Sequence, residues 1–140
     1  MVCPGIEELL SVLCDREDVV LGLLTGNAQL TAPLKLLEAR IDPAQFIVGA
    51  YGSDHFDRNK LPQLAMRRAN ELTGLHLTGD NTTIIGDTPA DIQCARAASA
   101  KAVAVATGWH SREELSRCAP DVLFDDFGET EAALQALLTE

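Results

Sequence analysis

The chain has 140 residues, enough for one domain of ordinary size, so we expect a single domain over residues 1–140. Hydrophobic residues make up 46% of the sequence and charged residues 23%, a balance that supports a buried core and excludes wholesale disorder. The formal net charge of −10 would repel phosphate backbones and anionic lipids, which argues against nucleic-acid binding and membrane-surface binding.

Hydrophobic periodicity predicts helices and strands in alternation. Apolar residues at helical spacing predict the helices, and short continuous apolar runs predict strands that are buried on both faces, as in parallel sheets. In chain order these are helix 5–13, strand 19–24, helix 31–40, strand 46–50, helix 61–72, strand 82–86, helix 89–98, strand 101–106, helix 112–117, strand 122–124 and helix 129–138. The alternation predicts an α/β fold, a three-layer Rossmann-like parallel sheet whose ligands bind where strand ends meet loops.

The cysteines and the N-terminus favour a cytoplasmic protein. No run approaches the roughly 20 apolar residues of a spanning helix, and the N-terminus lacks the basic and apolar regions of a signal peptide. The cysteines form no CxxC pair and have no histidine at zinc-ligand spacing, so we interpret them as reduced core residues. They are Cys3, Cys14, Cys94 and Cys118.

The first predicted strand ends in Thr25, which Gly26 and Asn27 follow. A hydroxyl and two flexible backbone amides at the carboxyl end of a strand suit the binding of an oxyanion. A plain turn in which Asn27 starts a helix explains the same residues. The tetrapeptide Leu24-Thr25-Gly26-Asn27 alone leaves both interpretations open.

The third predicted strand ends in Gly86 and continues into Asp87-Thr88-Pro89-Ala90-Asp91. Two carboxylates one helical turn apart would suit a hard cation such as Mg²⁺, which prefers oxygen ligands. A helix start explains part of the pattern, since Thr88 would be the N-cap and Asp91 would complete a capping box. Capping does not explain Asp87, which we interpret as functional.

A polar loop, residues 52–60, precedes the second long helix and carries two cations, Arg58 and Lys60. Either of them could neutralise a phosphate or the two carboxylates, although a solvated loop with incidental charges is the commoner explanation. The three histidines have no partner that the sequence defines. We interpret His55, His76 and His110 as ordinary surface residues.

Three segments in this order resemble the second, third and fourth motifs of the haloacid dehalogenase superfamily of phosphatases, most closely its phosphoglycolate-phosphatase-like members. The segments are LGLLTGN at 21–27, GSDHFDRNKLPQLA at 52–65 and IIGDTPADIQCARAA at 84–98. PGIEELL at 4–10 resembles the segment where the core of that family resumes after its cap domain. The resemblance covers nearly the whole chain and implies a magnesium-dependent phosphatase core acting on a small phosphorylated metabolite.

The resemblance also implies a role for each site residue. Asp87 would hold Mg²⁺, and Asp91 would assist it or orient the basic residue. Arg58 is the first choice for that basic residue, and Lys60 is the second. The phosphoryl group would be bound by Thr25 together with Gly26 and Asn27.

One family motif has no counterpart in the sequence. The superfamily begins with a strand ending in DxDxT, whose first Asp attacks phosphorus and whose second Asp acts as general acid and base. Nothing before Pro4 supplies this motif, and Asp15 and Asp18 precede a strand instead of ending one. The resemblance therefore implies an incomplete core, without its first strand and cap, whether Met1 is a natural start or a truncation. Loss of a nucleophile removes several powers of ten in rate, so we do not expect hydrolysis by this chain alone.

In the family, the nucleophile strand lies between the strands that end here in Thr25 and Asp87. Either these two strands close up and pair, or their open edges recruit a strand from a second copy or from another chain. On this ground we expect self-association as a homodimer, or a partner chain that supplies the missing strand.

Two other classes of function are alternatives to a phosphatase fragment. A non-catalytic module that binds Mg²⁺, phosphate or a partner protein stays open beside the phosphatase fragment. A receiver-like signalling domain does not fit, because the first strand ends in Thr25 and not in acidic residues. No GxGxxG follows any predicted strand, and no GxxxxGK[ST] is present, which argues against nucleotide sites of those two kinds.

Overall fold

The computed structural model describes residues 5–25, 34, 36, 37, 41, 43–55, 57–108 and 110–138. The helices are α1 Ile6–Cys14, α2 Leu61–Thr73, α3 Pro89–Ala97, α4 Arg112–Arg117 and α5 Thr130–Leu138. The strands are β1 Gly22–Thr25, β2 Val48–Tyr51, β3 Thr83–Gly86, β4 Lys101–Val105 and β5 Val122–Phe124. Short 3₁₀ turns cover Pro43–Gln45, Arg58–Lys60 and Gly79–Asn81.

The predicted alternation of helices and strands is confirmed across the described residues, with boundaries that differ by one to three residues at most ends. The apolar run at 19–24 enters its strand only at Gly22, so β1 is later and shorter than predicted. The helix predicted over 31–40 lies mainly outside the described residues. The α/β fold class is confirmed.

All described strand pairs are parallel, but they form two separate ladders. β1 pairs with β2, with Thr25 opposite Tyr51, and the second sheet has the order β3-β4-β5. In the second sheet Gly86 lies opposite Ala104, and Val105 lies opposite Phe124. β1 and β3 do not pair with each other, so the predicted alternative in which they close up is wrong for this structure.

Helices cover both faces of the second sheet. Successive side chains of β4 point to opposite faces, so they pack against different helices. Ala102 and Ala104 pack on one face in a cluster with Ile92 of α3 and with Leu115 of α4. Small side chains on the strand let α3 approach the sheet closely. Met66 of α2 packs against the same cluster, so α2 belongs to the same helical layer.

The opposite face of the second sheet is covered by α1 and α5. Val105 packs there with Leu9 of α1, Ala133 of α5 and Phe127. The Thr130 hydroxyl also donates a hydrogen bond to Glu8 of α1. The structure therefore has the three layers that the alternation predicts.

The cysteines only partly match the prediction of core residues. Cys94 is buried and Cys118 is partly buried. Cys14, the last residue of α1, is exposed, so the prediction that it is a core residue is wrong. The helical stripe of α1 explains the error, because Leu10 and Leu13 occupy the buried face and Cys14 lies beside it. None of the described helices is long and apolar enough to span a membrane.

Candidate functional site

The candidate site lies where β1 and β3 end. Thr25, the last residue of β1, is half-buried. Asp87 directly follows β3, and Asp91 lies in the first turn of α3. Gly26 and Asn27, the other predicted phosphate-binding residues, lie outside the described residues.

Asp91 makes the densest set of polar contacts at the site, and it is only 8% exposed. Its Oδ1 accepts a hydrogen bond from Nη2 of Arg58 in an ion pair. Its Oδ2 accepts hydrogen bonds from the amide of Asp87 at 3.0 Å, the amide of Thr88 at 3.1 Å and the Thr88 hydroxyl at 2.9 Å. Both oxygens are therefore used by protein donors, an arrangement in which Asp91 orients the basic residue.

The local sequence explains why Asp91 takes this position. Thr88 is the N-cap of α3 and accepts a hydrogen bond from the Asp91 amide at 3.2 Å, and Pro89 follows it in the first turn. The capping box predicted at this helix start is confirmed. Gly86 leaves room for the carboxylate, because a Cβ at that position would lie 2.1 Å from Asp91 Oδ2.

Arg58 is attached to α3 at two points. Besides its ion pair with Asp91, its backbone carbonyl accepts a hydrogen bond from the Cys94 thiol at 3.4 Å. Residues 91 and 94 lie three positions apart and share one face of the helix. Burial raises the pKa of the Cys94 thiol above its usual value, which keeps it protonated as a donor. The 3₁₀ turn that carries Arg58 is thereby held against the helix that carries Asp91.

The two candidate cations differ in their surroundings. The Arg58 side chain is 37% exposed, and its Nε is buried without a hydrogen-bond partner among the described residues. Lys60 is exposed and forms no ion pair within the part of the chain that the structure describes. Of the two, Arg58 is the one that contacts another predicted site residue.

Asp87 lies between the ends of β3 and β4. A Cβ at Gly108, in the loop after β4, would lie 2.3 Å from Asp87 Oδ2, so the carboxylate packs against that loop. Within the described residues no group of three or more His, Cys, Asp or Glu side chains is placed to hold a metal ion. Asp87 fits the role of an oxygen ligand, whereas both oxygens of Asp91 already accept hydrogen bonds from the protein. That the two carboxylates share a cation stays a prediction.

A second ion pair anchors the polar loop that leads to Arg58. Arg68 of α2 donates to both carboxylate oxygens of Asp54, at 2.9 and 2.8 Å, and to the Gly49 carbonyl at 2.6 Å. The amide of Tyr51 donates to Asp54 at 2.9 Å. These hydrogen bonds lower the pKa of Asp54 to about 2, mainly through Arg68. This pair was not predicted from the sequence, where its signal is no more than an arginine within a helix that follows an acidic loop.

This ion pair predicts an acid-dependent loss of stability. Because the pKa of Asp54 falls from 3.8 to about 2 on folding, its contribution is complete above pH 4 and is lost as the pH falls towards 2. Asp54→Asn should therefore lower the urea midpoint at pH 6, and its difference from the wild type should shrink between pH 4 and 3. Asp80→Asn, in the 3₁₀ turn before β3, is the control. A difference that stays constant with pH would contradict the assignment.

The histidines mostly match their interpretation as surface residues. His55 and His76 are exposed, and the His55 ring accepts a hydrogen bond from the Asp57 amide at 2.9 Å. His110 is partly buried and lies 3.0 Å from Glu114, one turn further along the chain.

Chemically, the described residues bring the guanidinium of Arg58, paired with Asp91, close to the half-buried carboxylate of Asp87 at the carboxyl end of a parallel strand. Such ends are where open α/β folds bind ligands. The guanidinium can bind an anion, and Asp87 can bind a cation. The arrangement therefore suits an anionic ligand that carries a metal ion.

The chain is similar to known proteins in sequence and in fold. The phosphoglycolate phosphatase of Rhodospirillum rubrum is 32% identical over 126 residues, which cover 90% of this chain and 50% of that protein. A predicted phosphatase from Clostridium acetobutylicum superposes with a TM-score of 0.77 at 21% identity, over 94% of this chain and 59% of its own. CbbY from Rhodobacter sphaeroides, solved in complex with phosphate, superposes with a TM-score of 0.72 at 20% identity, over 91% and 55%.

This chain spans about half the length of the curated relatives that it matches. The family model of HAD-hydrolase-like proteins matches residues 58–130, just over half of the 140 residues. The matched region includes Arg58, Asp87 and Asp91. The chain therefore belongs to the HAD-hydrolase-like family, the haloacid dehalogenase superfamily to which its motifs point.

Proposed function

We propose that this chain is the phosphate- and magnesium-binding part of a phosphomonoester hydrolase that acts on a small phosphorylated metabolite. One observation carries the proposal: the ion pair of Arg58 and Asp91 lies beside Asp87 at the carboxyl end of β3. The similarity to phosphoglycolate phosphatases supports the same class of substrate. Without a DxDxT segment the chain has no attacking carboxylate, so it is inactive alone.

The proposed roles follow from chemistry and position. Thr25, with the amides of Gly26 and Asn27, binds the phosphoryl oxygens. Arg58 neutralises their charge through its guanidinium, whose side chain is 37% exposed. Lys60 remains the second choice for this role.

Asp87 is the proposed protein ligand of Mg²⁺, which when bound would neutralise charge on the phosphate. Asp91 holds Arg58 in place through the contacts described above. The two aspartates therefore divide the roles of metal ligand and positioning residue. A site in the cytoplasm, where thiols stay reduced, completes the proposal.

The test is a calorimetric titration of the chain with Mg²⁺ in the presence of inorganic phosphate. Asp87→Asn should weaken Mg²⁺ binding by about ten-fold or more, because it removes the charged oxygen ligand. Asp80→Asn, at the opposite end of β3, should leave binding unchanged. Arg58→Gln should weaken phosphate binding more than Mg²⁺ binding. If the wild type and Asp87→Asn bind Mg²⁺ alike, the proposed metal site is wrong.

A second candidate function is a non-catalytic module that binds Mg²⁺ and phosphate or that self-associates as a homodimer. The observation in its favour is that both oxygens of Asp91 are already used by protein donors. Light scattering tests for self-association, which would appear as a dimer whose population rises with the concentration of the chain. Activity after addition of a DxDxT segment would exclude the purely non-catalytic form.

A further inference from the structure

Arg58 lies in a short 3₁₀ turn whose own hydrogen bonds are local. Asp57 caps the turn and accepts a hydrogen bond from the Asn59 amide at 3.0 Å. The Leu61 amide closes the turn by donating to the Arg58 carbonyl. These bonds set the shape of the turn, but they do not attach it to α3. Its position beside that helix depends on contacts between the turn and the helix.

One side chain of α3 contacts the backbone of this turn. The Cys94 thiol donates a hydrogen bond to the Arg58 carbonyl at 3.4 Å, so this oxygen accepts from both Leu61 and Cys94. A carbonyl oxygen has two lone pairs and can accept both hydrogen bonds. Ile92 and Ala95 of the same helix pack on the second sheet, whereas Cys94, which is 0% exposed, faces the turn.

The same face of α3 also holds the tip of the Arg58 side chain. Asp91 lies three residues before Cys94 on that face, and its Oδ1 accepts a hydrogen bond from Nη2 of Arg58. Cys94 therefore holds the backbone of Arg58, and Asp91 holds its guanidinium. Arginine has several rotatable bonds, so fixing both ends reduces the freedom that an anion would otherwise have to remove on binding.

We propose that Cys94 is a positioning residue of the candidate site: its thiol sets where the Arg58 turn lies on α3 and thereby directs the guanidinium towards Asp91 and the phosphate. This inference rests on the proposed function, because phosphate is the anion that Arg58 would bind. Cys94 is buried, so it acts through Arg58 and not on the phosphate itself. Burial also raises the pKa of the Cys94 thiol, which keeps it protonated and able to donate.

Two substitutions separate the hydrogen bond of Cys94 from its packing. Cys94→Ala and Cys94→Ser both remove the sulfur atom, but serine keeps a donor and alanine does not. Alanine is the best helix former, so Cys94→Ala should still fold. Cys118→Ala is the matched control. The Cys118 thiol likewise donates to a backbone carbonyl, that of Glu114 at 3.6 Å, but it does so at the end of α4.

The first measurement needs no ligand. Nε of Arg58 is buried, so its N–H should exchange slowly with solvent, which NMR of the arginine side chains can follow. Cys94→Ala should speed this exchange by about ten-fold, because the turn loses its attachment to α3, whereas Cys94→Ser should stay close to the wild type. Cys118→Ala should leave the exchange unchanged. Equal rates in the wild type and Cys94→Ala, or in the two Cys94 variants, would overturn the proposal.

The second measurement is a calorimetric titration with inorganic phosphate in the presence of Mg²⁺. Cys94→Ala should weaken phosphate binding by about five-fold to ten-fold and leave the binding of Mg²⁺, titrated separately, unchanged, while Cys94→Ser should restore most of the affinity. A purely structural role would weaken the binding of both ligands alike or of neither, and either result would overturn the proposal. If the wild type binds no phosphate, the proposed function is wrong instead, and the exchange measurement still decides whether Cys94 positions Arg58.

Discussion

Replacing Asp91 with alanine is expected to lower the free energy of unfolding by about 3 kcal/mol, the range for breaking a largely buried pair. The side chain accepts four hydrogen bonds, from Arg58, from Thr88 twice and from the Asp87 amide. Removing it leaves these donors without an acceptor and releases the turn that carries Arg58. Thermal unfolding followed by circular dichroism should show a midpoint lower by roughly 10 °C.

Three further variants check the cause of that loss. Asp18→Ala removes an exposed ion pair with Arg16 and should leave the stability almost unchanged, because exposed ion pairs are screened by solvent. Gly86→Ala adds a Cβ that would lie 2.1 Å from Asp91 Oδ2, so it should displace the same carboxylate without removing it. Gly22→Ala, whose Cβ would lie 3.1 Å from Val48, is its milder control in another strand. Stability of Asp91→Ala equal to that of Asp18→Ala would show that the contacts of Asp91 are unimportant.

The fold was predictable because its signals are local. Runs such as those that became β3 and β4 are short, apolar and bounded by turn residues, which is the pattern of strands buried in a parallel sheet. The start of α3 was equally predictable, since Thr88 and Asp91 form a capping box and Pro89 occupies the first turn. Strand ends were less accurate, because the apolar run at 19–24 begins three residues before β1 does.

The contacts of the candidate site were not predictable from spacing. Arg58 and Asp91 lie 33 residues apart, and Asp54 and Arg68 lie 14 apart, so no local period connects them. A helix cap and a metal site would each explain an aspartate at position 91, so the sequence does not distinguish the two roles. Only the placement of Arg58 beside it indicates what that carboxylate does. The separation of the two sheets depends on pairing between distant strands, which the sequence alone left as two alternatives.

The central claim, proposed above, is that this chain supplies the phosphate- and metal-binding part of a phosphatase and that hydrolysis needs an attacking segment besides it. The most direct test is a fusion in which a flexible linker joins the chain to an apolar strand that ends in DxDxT. The quantity measured is the rate of phosphate release from a small phosphomonoester in the presence of Mg²⁺. We expect release at least roughly 10³-fold above that of the chain alone, lost on replacing the first Asp of the added motif or Asp87. A well-folded fusion that releases no more phosphate than the chain alone would contradict the claim.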